Sequence, residues 1–144
     1  MEILSAIALI ILLLLLTFIP KNKEFELAKQ KYYYFLNNLP EQFKGLGLER
    51  PVVLSGYSFR GGTVLGWNSL KGSEIAVCID GKSNEILHIL LHEFCHQTVP
   101  EYSHSKRFWD NLDAVKDHAE RLGIYERILE SRKICGSHVT DVKK

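Results

Sequence analysis

The sequence lacks the features of a disulfide-rich or a nucleic-acid-binding protein. Its 144 residues include only 3 cysteines, an odd number without CxxC spacing, so a framework of disulfides is not expected. The formal net charge is +1 and no run of Lys and Arg exceeds two residues, which leaves no basic patch for nucleic acid. Internal repeats and low-complexity segments are absent after the N-terminal stretch. The sequence therefore predicts a single folded domain over residues 21–144.

A long apolar run opens the chain. Ile3 to Ile19 is interrupted only by Ser5 and Thr17, and as a helix it would span about 25 Å, close to the thickness of a bilayer core. A cleaved signal peptide is the alternative, but no Lys or Arg precedes the run and no small-residue cleavage site follows it. We therefore predict an N-terminal transmembrane anchor at residues 1–20.

The charges on either side of this run predict its orientation. Lys21, Lys23, Lys29 and Lys31 follow the run, whereas Glu2 is the only charged side chain before it. By the positive-inside rule, the anchor is expected to cross the membrane once and to leave the following domain in the cytoplasm.

Hydrophobic periodicity predicts an α+β domain after the anchor. The predicted elements are a helix at 24–39, short strands at 51–54, 57–59 and 63–67, a strand at 74–80, and helices at about 83–98, 104–122 and 124–133. This order indicates a small antiparallel sheet that packs on the helix after the last strand, with the other helices flanking it.

The most informative segment is His92-Glu93-Phe94-Cys95-His96, an HExxH motif. Two histidines four residues apart on a helix point to the same side, with Cβ atoms about 5–6 Å apart, so both imidazoles can bind one metal ion. The glutamate lies beside them and can take a proton from a metal-bound water. This is the chemistry of a zinc hydrolase.

The helix that carries the motif is apolar except for one stripe. At about 100° per residue, Glu85, His88, His92, Glu93 and His96 fall within an arc of about 140°. Buried polar side chains need partners, because desolvating them unpaired is costly. A metal ion supplies such a partner, and a hydrogen-bonded core stripe without metal is the alternative.

A catalytic zinc ion usually has three protein ligands and one open position. We predict His104 as the third ligand, because it follows a loop containing Pro100 and precedes a predicted helix. The alternative third ligands are Glu101, Asp110, Asp113 and His88.

The two histidine segments together resemble a known group of enzymes. HEFCH at 92–96 and HSKRFW at 104–109 are similar to the HE[LF]xH…HSxxFW pattern of SprT-like, WLM and YgjP-like zinc metallopeptidases. Trp67, Ser69 and Gly72 resemble the RWGSC…G-x-I stretch that precedes the motif in YgjP-like members.

The resemblance, which covers residues 60–122, implies a zincin-like domain with the motif helix packed under a small sheet. It also implies that Zn²⁺ is held by His92, His96 and His104 and that Glu93 is the general base. The activity it implies is hydrolysis of peptide bonds through a zinc-bound water.

We therefore predict a membrane-anchored zinc metalloprotease that acts on extended or unfolded protein or peptide substrates. The strand Glu74–Asp80 is expected to receive the substrate as an added β-strand, and Tyr102 and Tyr57 are candidate oxyanion donors. Two alternatives stay open. One is a zinc-dependent hydrolase of a phosphoester or phosphoanhydride, with Lys106 and Arg107 near the site, and the other is a non-enzymatic, zinc-stabilised adaptor at the membrane.

Overall fold

The computed structural model describes residues 2–17, 21–50, 52–58 and 64–143. Within these ranges the chain is α+β, with four α-helices, a three-stranded sheet and a two-stranded sheet. The elements are α1 (Glu2–Thr17), α2 (Lys23–Leu36), a 3₁₀ turn (Glu41–Phe43), β1 (Val53–Tyr57), β2 (Gly66–Ser69), β3 (Glu74–Cys78), α3 (Ser83–Cys95), α4 (Lys106–Arg121), β4 (Arg132–Ile134) and β5 (Ser137–Val139).

The predicted transmembrane anchor is wrong. Helix α1 has 16 residues, and none of the helices in the described ranges combines the length and the apolar character needed to cross a membrane. A transmembrane helix needs about 17–25 apolar residues, and α1 falls short of that range. The predicted single-pass localisation with a cytoplasmic domain is wrong for the same reason. Residues 18–20, at the end of the predicted anchor, lie outside the described residues.

The three-stranded sheet is mixed, not antiparallel as predicted. Its strand order is β1-β3-β2, with β3 parallel to β1 and antiparallel to β2. Alternation of apolar residues identifies strands but does not encode their direction, which explains the error. The prediction that the strand Glu74–Asp80 receives the substrate is also wrong. This strand corresponds to β3, which is central and has both edges paired. Among the described strands of this sheet, β1 and β2 are the edges.

The hydrophobic core surrounds α3. Its side chains Ile86, Leu87, Leu90, Leu91 and Phe94 are fully buried. They pack against α2, α4 and the three-stranded sheet. Burial of each such side chain contributes about 1.5–3 kcal/mol. The core therefore fixes the rotation of α3 about its axis, and with it the direction of the histidines on the helix.

The C-terminal segment is a β-hairpin, so the helix predicted at 124–133 is wrong. Strands β4 and β5 are joined by Cys135 and Gly136, whose φ values are 47° and 70°. Positive φ at both central residues is typical of a type I′ turn. A disulfide joins Cys135 to Cys78 at the end of β3, with 6.3 Å between the Cα atoms. The hairpin is thus attached to the sheet, although the cysteine pattern did not predict a disulfide.

Candidate metal centre

Helix α3 and the segment before α4 bring three histidines together. His92 and His96 lie one turn apart at the end of α3, and Nε2 of His104 is 3.1 Å from Nε2 of His92 and 3.2 Å from Nε2 of His96. Three nitrogens at about 2.0–2.1 Å from one tetrahedral zinc would be about 3.3 Å apart. The three side chains therefore fit a single metal ion.

Phe108 and Ser105 hold the start of α4 against the histidines. The Ser105 hydroxyl caps the helix by accepting a hydrogen bond from the Phe108 amide at 3.2 Å. The Phe108 ring is fully buried. Its centroid lies 5.0 Å from the ring of His92, 4.7 Å from that of His96 and 4.7 Å from that of His104. One buried aromatic ring thus packs against all three imidazoles.

Lys71, in the turn between β2 and β3, holds the segment that leads to His104. Its ammonium group donates to three main-chain carbonyls there: His96 at 3.1 Å, Val99 at 2.6 Å and Glu101 at 3.0 Å. It also lies 4.5 Å from the ring centroid of Tyr102. Leu70 and Lys71 have φ values of 47° and 50°, a conformation that costs a residue with a side chain about 1–2 kcal/mol. Sequence reasoning missed this lysine, because no local pattern indicates contacts across so many residues.

Glu93 lies directly beneath β2. A Cβ atom added at Gly66 would come within 3.3 Å of Glu93 Oε1 and 2.8 Å of Ile89 Cγ2, so only glycine allows β2 to approach α3 this closely. The Asn68 side chain donates to the main-chain oxygen of Glu93 at 2.8 Å. Burial raises the pKa of the Glu93 carboxyl to about 7. This carboxyl can therefore exchange a proton near neutral pH.

The imidazoles of His92 and His96 are held in their neutral form. Burial, together with smaller effects of the neighbouring His104 and His96, lowers the pKa of His92 to about 3. Burial likewise lowers the pKa of His96, with smaller effects from His104 and Lys71. Neutral imidazole is the form that binds metal ions, so this protonation state suits a metal centre.

The alternative third ligands all have other partners. Glu101 accepts from Ser105, Asp110 pairs with Lys106, Asp113 pairs with Arg127 and Lys143, and His88 contacts Tyr125. Of the predicted candidates, only His104 belongs to the group of close ligand atoms that includes His92 and His96.

A second group of potential metal ligands lies away from this centre. It comprises Cys78, Asp80 and Cys135. Because the disulfide occupies both sulfur atoms, this group offers thiolates only in the reduced protein.

Two hollows adjoin Glu93 and Gly66. The larger, of about 310 Å³, is lined by His92, His96, His104, Trp67, Lys71 and Tyr102, among others. The smaller, of about 220 Å³, is lined by Leu65, Gly66, His88, Ile89, His92 and Glu93. Both open to solvent next to the candidate metal ligands, so the three histidines stand in a cleft that a substrate can enter.

A buried ionic network lies behind His88. Nζ of Lys116 is 2.5 Å from Oδ1 of Asp141, and their side chains are only 5% and 2% exposed. The hydroxyl of Tyr125 and the amide of Ile128 donate to the other carboxylate oxygen. Sequence reasoning missed this network, because it joins α4 to the last residues of the chain.

Asp141→Asn is expected to destabilise the protein by about 3–5 kcal/mol at pH 7, because it leaves the Lys116 ammonium buried without a counter-charge. Burial alone would raise the pKa of Asp141, but hydrogen bonds with His88 and Lys116 lower it well below its ordinary value. A lowered folded-state pKa gives stability that is present above the unfolded-state pKa of about 3.9 and is lost as the pH falls below it.

Urea unfolding of the wild type and Asp141→Asn at pH 7 and pH 3 measures this effect. The difference in the free energy of unfolding between the two proteins should be smaller at pH 3 than at pH 7, by about 1 kcal/mol. The same change at the exposed Asp110 is the control and should cost little. An equal difference at both pH values would show that the Asp141 charge does not stabilise the fold.

Comparisons with known proteins add one weak similarity. No protein-family model matches the chain, and no curated protein matches it. Among solved structures, the chain is similar to the metallopeptidase zymogen abylysin of Pyrococcus abyssi, with 17% identity, a TM-score of 0.41, and coverage of 71% of this chain and 97% of that one. A TM-score this low assigns neither a fold nor an activity. The resemblance of the histidine segments to SprT-like enzymes remains a prediction from sequence.

Proposed function

We propose that His92, His96 and His104 bind Zn²⁺ and that the protein is a zinc metallopeptidase. The observation that carries this proposal is the convergence of three Nε2 atoms at 3.1 and 3.2 Å in a cleft beside the buried Glu93 carboxyl. Three protein ligands leave one coordination position free, which is the arrangement of catalytic zinc sites, whereas structural sites have four ligands.

Glu93 acts as the general base in this proposal. Zinc bound to the histidines would supply a Lewis acid that polarises the scissile carbonyl and lowers the pKa of a water from about 15.7 to about 7. Glu93 takes the proton from the attacking water and passes it to the leaving amine. A carboxyl whose pKa is raised by burial to about 7 suits a group that must both accept and release a proton at neutral pH.

Strand β2 is the edge that borders the cleft. Among the described residues it pairs only with β3, so we infer that its other side can add a substrate strand. The Trp67 side chain is 47% exposed and stacks on Tyr57 with 5.1 Å between ring centroids. Strand addition recognises main-chain groups, so the proposed substrates are extended or unfolded polypeptides of varied sequence.

Tyr102 is better placed than Tyr57 to stabilise the oxyanion. Its side chain is exposed and lines the same hollow as the three histidines. The Tyr57 hydroxyl instead donates to the main-chain oxygen of Val64 at 2.6 Å. We therefore assign the second oxyanion donor to Tyr102.

The site offers little to a phosphoester. The Lys106 side chain is 88% exposed and pairs with Asp110, and Lys71 directs its ammonium group at main-chain carbonyls. A phosphoryl group needs free cationic donors at the metal, so a peptide substrate is the better match.

The test is cleavage of unfolded casein by the full chain, metal-free and after reconstitution with zinc, with products mapped by mass spectrometry. We expect new peptide termini only with zinc and only when one equivalent of zinc is bound per chain. One bound equivalent without cleavage of any polypeptide tested would overturn the peptidase function and favour a zinc-stabilised adaptor.

A further inference from the structure

His88 forms part of the smaller hollow beside the metal centre, one turn before His92 on α3. Its side chain is 12% exposed, and the hollow of about 220 Å³ that it lines also contains Glu93 and the wall residues Leu65 and Ile89. A water molecule occupies about 30 Å³ in the liquid, so the hollow has room for a side chain of several heavy atoms next to the reacting groups.

The buried network determines which His88 nitrogen carries the proton. Nδ1 of His88 is 2.9 Å from the Tyr125 hydroxyl oxygen, and that hydroxyl donates its only hydrogen to Asp141. A contact of 2.9 Å without a hydrogen between the two atoms would place two lone pairs against each other, so this contact favours the hydrogen on Nδ1. Oδ1 of Asp141, at 3.5 Å, favours the same form. The Lys116 ammonium lies 3.3 Å from Nδ1 but is closer to the carboxylate, at 2.5 Å.

The other ring nitrogen, Nε2, is therefore a hydrogen-bond acceptor. None of the described residues hydrogen-bonds to it, whereas Nδ1 has all of its partners on the buried side. His88 lines the hollow and its Nδ1 side is occupied by buried partners, so we infer that the ring presents Nε2 to a substrate group there.

The ion pair behind the His88 ring adds no net charge to the hollow. Lys116, immediately behind the ring, carries a positive charge that Asp141 balances, so the network as a whole attracts neither cations nor anions. An acceptor of this kind, set among Leu65 and Ile89, suits an amide or hydroxyl at the end of an apolar stem.

We propose that this hollow is a side-chain subsite next to the scissile bond, and that Nε2 of His88 selects substrate residues with an uncharged donor, such as glutamine or threonine. This inference rests on the proposed peptidase function, because the subsite is defined by its position next to the scissile bond. The experiment that tests it measures binding and does not require cleavage. The site accepts a hydrogen bond that Met or Val, which match these side chains in shape, cannot supply.

The experiment uses full chain carrying Glu93→Gln, loaded with zinc and labelled with ¹⁵N-histidine, so that peptides bind without being cleaved. Peptide pairs differ only by Gln or Met, or by Thr or Val, at each position near the scissile bond. We expect the free protein to show His88 protonated at Nδ1. At one position the peptide with Gln or Thr should bind about fivefold more tightly than its partner with Met or Val, which is the effect of one neutral hydrogen bond. The same peptide should shift the Nε2 resonance of His88.

Two variants and one control sharpen the result. His88→Phe keeps a ring in the hollow and removes the acceptor, so the Gln/Met and Thr/Val ratios should fall to about one. Tyr125→Phe removes the acceptor for Nδ1–H and should reduce the same ratios while His88 remains. The exposed His138 should show no resonance shift with either peptide.

Protonation of His88 at Nε2, or equal affinity for both members of every pair, would overturn the subsite. Wild-type protein that cleaves no peptide, although the Glu93→Gln protein prefers donor-bearing ones, would contradict the peptidase function and leave the subsite standing. Cleavage by the wild type, together with no preference of the Glu93→Gln protein for donor-bearing peptides, would support the peptidase function and overturn the subsite.

Discussion

Glu93→Gln is expected to reduce peptide cleavage by about 10²–10⁴-fold, the usual contribution of a general base, while the protein still binds one equivalent of zinc. Glutamine keeps the shape of the side chain under β2, including its close approach to Gly66, but it cannot take a proton from water. The comparison requires zinc content and kcat/KM measured on the same preparations of full chain.

Glu130→Gln is the matched control, because it makes the same chemical change in a side chain that is 88% exposed. It should leave cleavage and zinc content at wild-type values. Cleavage by Glu93→Gln at more than about a tenth of the wild-type rate would show that another group takes the proton, since one general base is worth at least about 10²-fold.

His104→Ala is expected to weaken zinc binding by more than about 100-fold, because loss of a residue that only supports a ligand already costs about 10–100-fold. Cleavage should disappear at zinc concentrations that saturate the wild type. Competition with a chromophoric chelator measures the affinity directly, and circular dichroism shows whether the fold is retained. The same substitution at His138, which is exposed and hydrogen-bonds to Ser131, should leave zinc affinity unchanged.

Lys71→Met gives a finer test of the same centre. It keeps every proposed ligand but removes the three hydrogen bonds to the segment that carries His104. Zinc affinity should fall by about 10–100-fold, less than for His104→Ala. Wild-type affinity in both variants would contradict a centre that depends on His104.

The helix that carries His92 and His96 was predictable, because its signals are local. Apolar residues on nearly every side require burial, and the polar stripe fixes which face the histidines share. The predicted end at residue 98 is too late, since α3 ends at Cys95 and His96 caps it. Helix ends depend on the contacts of the following turn, which the periodicity does not contain.

The surroundings of the site were less predictable, because they depend on contacts between distant parts of the chain. Gly66 and Asn68 act by bringing β2 onto α3, and Lys71 acts on a segment about 30 residues later. Glycine, asparagine and lysine are ordinary residues of turns and surfaces. Only the folded arrangement shows that a Cβ atom or a shorter side chain would disturb the site.

The C-terminal hairpin shows the same limit. Tyr125 and Ile128 have the three-residue spacing of a helix, but they are buried against the core in a segment that is not helical. The disulfide from Cys135 to Cys78 and the Asp141 network attach this segment to the rest of the domain. Such tertiary contacts override local preference, and no periodicity reveals them.

Zinc K-edge X-ray absorption of the zinc-loaded full chain shows which atoms hold the metal ion. The three-histidine centre predicts a first shell of nitrogen and oxygen at about 2.0–2.1 Å, outer-shell scattering from three imidazole rings, and no sulfur. Sulfur at about 2.3 Å would place the ion on cysteine, as Cys78 and Cys135 could provide after reduction of their disulfide. That result, or a protein that retains no zinc, would contradict a metal centre formed by His92, His96 and His104.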